Sequence, residues 1–132
     1  MMRRAISLCF LLVAVLLGSC NKEADPAEVV GKVAKQCYGY LLDGKYEDFV
    51  DCHYQADSIP AAYREQLVAN AKMFVGQQQA EHKGMVKIDI LRAEVDTARH
   101  TANAYLSVVY GDSTCEEILV PMVEKENVWY MR

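Results

Sequence analysis

One histidine in this sequence lies where acid–base chemistry could take place. His53 continues a helical face that contains Phe49 and Val50, so we expect its imidazole to point into the domain. An inward histidine beside a carboxylate can act as a general base, because its pKa lies near neutrality. Asp57 follows four residues later, but this spacing does not ensure contact where a helix has ended. A half-buried histidine that is hydrogen-bonded for structural reasons is the simpler interpretation.

Other catalytic and metal-binding patterns are missing from the sequence. The three histidines, His53, His82 and His100, are isolated from one another, and no His-x-His or Cys-x-x-Cys pair is present. No serine stands in a Gly-x-Ser-x-Gly context, and no glycine-rich phosphate loop is present. The sequence therefore predicts neither a metal site nor a cofactor.

A second set of side chains could line a ligand cavity. Tyr38 flanks the apolar stripe of the first predicted helix, and Asn103 and Tyr105 share one face of a predicted strand with Ser107. Tyrosine, asparagine and serine together suit a cavity with a few polar groups. The same strand face could equally be the solvent side of the sheet. Tyr38, His53, Asn103 and Tyr105 are thus candidate pocket residues.

The first residues have the organisation of an export signal. Arg3 and Arg4 precede an apolar run of 13 residues, 5–17, which is followed by the small residues Gly18 and Ser19. At about 1.5 Å per residue, such a helix is too short for a hydrocarbon layer of about 30 Å. A cleaved leader is therefore predicted in preference to a permanent membrane-spanning helix.

The end of this leader, Leu17-Gly18-Ser19-Cys20, resembles the lipobox of bacterial lipoproteins. The resemblance implies cleavage between Ser19 and Cys20 and acylation of Cys20. It also implies attachment to a membrane of the cell envelope, with the outer membrane favoured and the periplasmic or surface side left open. Two or more acyl chains, at about 0.8 kcal/mol per buried methylene, hold a protein stably at a membrane. An ordinary secretory signal with a chance cysteine at the junction is the alternative.

The composition after the leader indicates one acidic domain. Removing residues 1–19 from the 132 leaves 113, which suits a single domain. The leader holds two of the 14 basic side chains and none of the 18 acidic ones, so the remainder has a net charge of −6. This sign repels phosphate backbones, and we predict no nucleic-acid partner.

Of the five cysteines, Cys9 leaves with the leader and Cys20 is assigned to lipid, so three remain and at most one disulfide can form within the chain. Bridging Cys37 to Cys52 would close a loop worth about 3 kcal/mol in the chain-entropy model. Cys37 lies at the centre of an apolar helical stripe, whereas Cys52 lies about 110° from the centre of its own helix's apolar face. This geometry predicts that the two thiols do not meet.

Helical periodicity predicts three helices between residues 25 and 84. Asp25 and Pro26 mark the start of the first helix, and Gly44 marks its end. A shorter second helix covers about residues 45–54. The third opens at about residues 57–60, runs to about residue 81 and turns one apolar face inward. That face consists of Tyr63, Leu67, Ala71, Phe74 and Val75.

From Met85 the hydrophobic period changes from 3.6 to 2, which is typical of strands. Val86, Ile88 and Ile90 alternate on one face, and the apolar positions then shift phase at Leu91. This shift predicts a β-bulge near Ile90 and Leu91 that bends the sheet. Further strands are predicted at about residues 101–110, 115–124 and 128–131, with short turns between them.

This order of elements resembles the nuclear transport factor 2-like superfamily, also described as cystatin-like. The segments that carry the resemblance are DPAEVV (residues 25–30), LDGKYEDF (42–49) and KENVWY (125–130). It implies an α+β domain over residues 25–132, joined to Cys20 by a tether over residues 20–24. In such a domain, three N-terminal helices pack on a curved four-stranded antiparallel meander, which leaves a conical cavity. Residues 55–58 leave no room for the additional hairpin of many members, so we expect a shallower cavity.

The resemblance leaves three functions open, because members use the cavity for catalysis or for binding. We favour a non-enzymatic, membrane-anchored lipoprotein whose domain binds a small molecule, a peptide or a protein partner. A cavity enzyme of the dehydratase or isomerase type would need an inward acid–base pair, which no motif secures. A structural module that dimerises through its sheet face, with Tyr105 and Val109 as contacts, is the third.

Overall fold

The computed structural model describes residues 24–132, so the predicted leader, Ser19 and Cys20 lie outside the described residues. Over residues 24–132, three helices precede four strands, which confirms the predicted α+β class and order of elements. Within the described residues, none of the helices is both long and apolar enough to cross a membrane. The helices are α1 (Pro26–Leu42), α2 (Tyr46–Asp51) and α3 (Ala61–His82), and the strands are β1 (Met85–Asp96), β2 (Thr101–Tyr110), β3 (Cys115–Lys125) and β4 (Val128–Met131).

Helix α1 begins and ends where the sequence predicts. The Ala27 N–H donates to the Asp25 carboxylate at 3.2 Å, which caps the helix, and Pro26 occupies the first turn. Gly44, just beyond the end, has a φ of +72°, a conformation that glycine adopts at no steric cost. The buried stripe of α1 consists of Val30, Gly31, Ala34, Cys37 and Leu41.

The four strands form one antiparallel sheet in sequence order, β1-β2-β3-β4. Every second residue of β2 is buried, from Ala102 to Tyr110, and the residues between them are half-buried. The buried side chains form one core with Val30, Ala34 and Cys37 of α1. Helix α1 therefore lies on one face of the sheet, and the other face is turned away from the core.

The predicted bulge in β1 is confirmed by the pairing with β2. The register shifts between Ile90 and Arg92, so that Ile90 faces Leu106 while Ala93 faces Ala104. Leu106 and Ala104 are both fully buried. The extra residue thus keeps both halves of β1 directed toward the core, as the phase shift in the sequence indicates.

The start of β1 differs from the prediction. A second register shift lies between Met85 and Lys87, and it leaves Val86 58% exposed instead of inward. The sequence pattern contains no phase change there, so this bulge could not be predicted from it. Ile90 does contact α1, because a Cβ on Gly31 would lie only 2.9 Å from the Ile90 Cγ2 atom. Glycine at position 31 therefore permits the close approach of α1 to β1.

A disulfide joins Cys37 of α1 to Cys52 at the end of α2, so the prediction that these thiols do not meet is wrong. Their Cα atoms lie 6.0 Å apart. The helical-wheel argument assumed that α2 buries a single face, but α2 contacts both α1 and α3. The chain after α2 also runs beside β4, where Met131 N–H donates to the Cys52 carbonyl at 2.7 Å. Cys52 therefore contacts a neighbouring element, α1, although it lies far from the centre of the apolar face of α2.

Candidate functional site

Helix α3 packs much more loosely than α1. Ala71 is its only buried residue among 22. The predicted inward face does point toward the rest of the domain, but Tyr63 and Phe74 remain 52% and 39% exposed. This face borders a gap between α3 and the other two helices instead of joining the core.

That gap, which we name the apolar cleft, has a volume of about 480 Å³. The volume lies within the range of small-molecule sites, about 300–1,000 Å³. Gln55, Asn70 and tyrosine hydroxyls supply its polar groups, and Arg132 is the one lining residue with a full charge among the described residues. The apolar and aromatic walls come from Tyr38 and Leu41 of α1, Phe49 and Val50 of α2, and Tyr63, Leu67, Ala71 and Phe74 of α3.

His53 lines the apolar cleft and is half-buried. Its Nδ1 lies 3.2 Å from the Phe49 carbonyl oxygen, and its ring meets the Phe49 ring edge to face at 5.2 Å. Because a carbonyl can only accept, Nδ1 carries the proton in this bond. Asp57 is exposed and does not line the cleft. The His53 imidazole is therefore held by Phe49, through its carbonyl and its ring, and is not paired with a carboxylate.

Tyr38 lies beside His53 in the same cleft. Its ring meets the Phe49 ring edge to face, with centroids 5.7 Å apart. Burial raises the pKa of the Tyr38 phenol above its ordinary value. Tyr38 thus stays protonated near neutral pH and offers its hydroxyl as a hydrogen-bond donor.

Tyr105 and Asn103 do not share this cleft. Both lie on the sheet face turned away from α1, where the Arg92 guanidinium stacks on the Tyr105 ring at 3.9 Å. Asn103 borders a separate depression where β1 ends and β2 begins. The face of β2 that contains Asn103 and Tyr105 is thus the outer side of the sheet, which was the alternative interpretation. The structure therefore brings together only Tyr38 and His53 of the four candidate pocket residues.

A second cavity, which we name the polar compartment, adjoins the apolar cleft and has a volume of about 570 Å³. Asp51 and Arg64 line it and form a bidentate ion pair. This hydrogen bonding from Arg64 lowers the pKa of the Asp51 carboxyl below its ordinary value. Lys125, the last residue of β3, and Glu126, in the β3–β4 turn, supply the remaining charges. The residues that line both cavities are Val50, His53, Tyr54 and Gln55.

Sequence reasoning missed several residues of these cavities. Asp51 and Arg64 are 13 positions apart on either side of a loop, and no local pattern pairs them. Tyr54 and Lys125 come together because residue 54 runs beside β4, where the Tyr54 N–H donates to the Met131 carbonyl at 2.8 Å. The one available signal was Tyr54 itself, an aromatic residue directly after an inward histidine.

A separate cluster attaches the end of α3 to the β2–β3 turn. The His82 Nδ1 atom lies 3.0 Å from Asp112 Oδ2, and the His82 ring stacks on Tyr110 at 4.5 Å. Hydrogen bonds from Thr114, with a smaller effect of His82, lower the pKa of Asp112 to about 2. Desolvation and the acceptor Glu116 raise the pKa of Tyr110 to about 12. Within residues 24–132, no three metal-ligating side chains lie close enough to hold an ion.

Comparison with known proteins gives a match at the level of structure. No protein-family model matches the chain, and no curated protein sequence matches it either. A crystal structure from Campylobacter jejuni, which carries the provisional name of NTF2-like transpeptidase, is similar with a TM-score of 0.61. The similarity extends over 76% of this chain and 94% of that one, at 12% sequence identity. Identity this low shows the fold alone, and the chain therefore has the α+β nuclear transport factor 2-like fold.

Proposed function

We propose that this protein is a lipoprotein of the bacterial cell envelope whose domain binds a small molecule in the apolar cleft. The observation that carries the binding function is the cleft itself. It is of ligand size, and its walls are mostly apolar and aromatic with a few polar groups. None of the described residues that line it has a carboxylate side chain.

The envelope location is supported by the leader and by the disulfide. Residues 1–20 have the order of a lipoprotein export signal, with Cys20 as the acceptor of lipid. The Cys37–Cys52 disulfide is typical of proteins from oxidising compartments, to which such a signal directs a protein. The tether over residues 20–24 would then hold the domain of residues 25–132 close to the membrane.

Labelling with a radioactive fatty acid in the native host tests the location. The wild type should incorporate label, and Cys20→Ala should abolish it. Cys115→Ala is the matched control, since Cys115 is an exposed free thiol, and it should retain full labelling. Label that persists in Cys20→Ala would contradict the lipid anchor.

The cleft supports binding better than it supports catalysis. A dehydratase or isomerase would need a general acid and a general base within hydrogen-bond reach of one substrate. The Nδ1 atom of His53 instead bonds the Phe49 carbonyl, and the guanidinium of the lining residue Arg132 is a hydrogen-bond donor without an acceptor atom. The walls of the cleft therefore suit the binding of an apolar ligand and do not supply an acid–base pair.

Binding of a neutral apolar fluorophore, N-phenyl-1-naphthylamine, tests the cleft in the purified protein. We expect enhanced fluorescence that Phe74→Ala weakens, because Phe74 lines the cleft. Met73→Ala is the matched control, because Met73 is the adjacent residue of α3, is 62% exposed and does not line the cleft. Absence of binding, or equal loss in both variants, would contradict the proposal. Native mass spectrometry of protein purified from its own envelope would then identify a retained ligand.

A further inference from the structure

We infer that the ligand is a single-chain amphiphile that ends in a carboxylate, with its chain in the apolar cleft and its carboxylate at the Lys125 ammonium in the polar compartment. The inference rests on the proposed binding function and adds the chemical class of the ligand. It follows from how the two cavities meet and from which charges at their boundary are already paired.

The two cavities meet at the segment that follows α2. His53, Tyr54 and Gln55 line both of them. The Lys125 ammonium lies 5.3 Å from the centroid of the Tyr54 ring, which places this cation at the boundary. Tyr54 is 39% exposed, so its ring is open to a ligand that crosses from one cavity to the other. A molecule seated in the apolar cleft can therefore reach Lys125 across Tyr54.

One cation of the polar compartment, Lys125, is available to contact an anionic head group. Arg64 is occupied by its bidentate pair with Asp51. Among residues 24–132, no carboxylate forms an ion pair with Lys125, and its ammonium lies over the Tyr54 ring. A ligand carboxylate would supply the charge-assisted partner that Lys125 lacks.

The same charges favour a carboxylate over a phosphate. Asp51 and Glu126 both line the polar compartment, and each would repel an added anion. Asp51 and Glu126 repel a carboxylate, with one negative charge, half as strongly as they repel a phosphate with two. One negative charge is also enough to pair with the single ammonium of Lys125. The apolar cleft has the complementary property, because an alkyl chain gains about 0.8 kcal/mol for each methylene that it buries.

Calorimetric titration with two ligands of equal chain length tests the inference. Dodecanoate carries the carboxylate, and its neutral glycerol monoester carries the same chain without the charge. We expect Lys125→Met, which removes the ammonium, to weaken dodecanoate binding by about tenfold or more, as for loss of a charge-assisted hydrogen bond. Binding of the neutral ester should stay within about twofold of wild type. Lys35→Met, on the exposed side of α1, is the matched control and should change neither affinity.

Each outcome separates the ligand class from the binding function. If neither ligand binds the wild type and the neutral fluorophore does not bind either, the proposed function itself fails. If both ligands bind with equal affinity and Lys125→Met has no effect, the cleft binds apolar chains and the carboxylate assignment is overturned. Dodecyl phosphate that binds more tightly than dodecanoate would also overturn it. Circular dichroism of Lys125→Met, altered at the exposed last residue of β3, verifies that the variant is folded.

Discussion

The two helices that form most of the apolar cleft are attached to the domain in different ways. Helix α1 lies on the sheet along a buried stripe and is cross-linked through Cys37 to the end of α2. Helix α3 buries only Ala71 and is attached near its two ends, by the Arg64–Asp51 pair and by the His82–Asp112 contact. One wall of the cleft is therefore fixed, while the other is free to adjust to a ligand.

Truncating one leucine in each wall should show the difference in packing between α1 and α3 most clearly. Leu41 of α1 is 1% exposed, whereas Leu67 of α3 is only half-buried. Leu41→Ala should lower the free energy of unfolding by about 2–5 kcal/mol through lost burial and the resulting cavity. Leu67→Ala should cost less than about 1 kcal/mol. Urea unfolding measures both, and equal costs would mean that α3 is packed as firmly as α1.

Loss of the disulfide should lower the free energy of unfolding slightly less than the upper end of the range expected for Leu41→Ala. Replacing both Cys37 and Cys52 by serine opens a loop between residues 15 positions apart, and we expect a loss of about 3 kcal/mol. The same urea experiment on Cys115→Ser provides the control, with a change near zero because that thiol is exposed and free. Wild-type stability that does not change under reducing conditions would contradict the role of the cross-link.

The smallest effect concerns Asp112, which accepts hydrogen bonds from Thr114 within the β2–β3 turn and also contacts His82 at the end of α3. Asp112 has a folded-state pKa of about 2, below its ordinary value of 3.8, so the unfolded chain binds more protons between these pH values. Its stabilising contribution is therefore present above about pH 4 and lost as the pH falls toward about 2. Asp112→Asn should flatten this part of the acid-unfolding curve, while Asp57→Asn in the exposed loop should not. An identical acid curve for Asp112→Asn and wild type would show that the hydrogen bonds of the Asp112 carboxylate, chiefly those from Thr114, do not stabilise the fold.

The fold could be predicted from the sequence because its signals are local. The cap at Asp25, the turn glycine Gly44 and the phase shift after Ile90 each depend on residues close together in the chain. Such signals define helices, strands and one bulge, and they give the order of elements.

The cleft and its neighbouring compartment could be predicted only in part. His53 and Tyr38 were found because each lies on or beside an apolar helical face. The disulfide and the position of Lys125 on Tyr54 depend on the segment after α2 running beside β4, which joins residues far apart in the sequence. The exposure of Phe74 could not be predicted either. Periodicity gives the direction of a side chain but not whether another element covers it, and Phe74 is left 39% exposed.

Native-state hydrogen exchange tests the contrast between the two walls and the binding function together. In the free protein, amides of α1 should exchange only through global unfolding, whereas those in the middle of α3 should exchange faster through local opening. Saturating dodecanoate should slow exchange in α3 and leave α1 unchanged. Contradiction would be exchange in α3 as slow as in α1 in the free protein, with no change when dodecanoate is added.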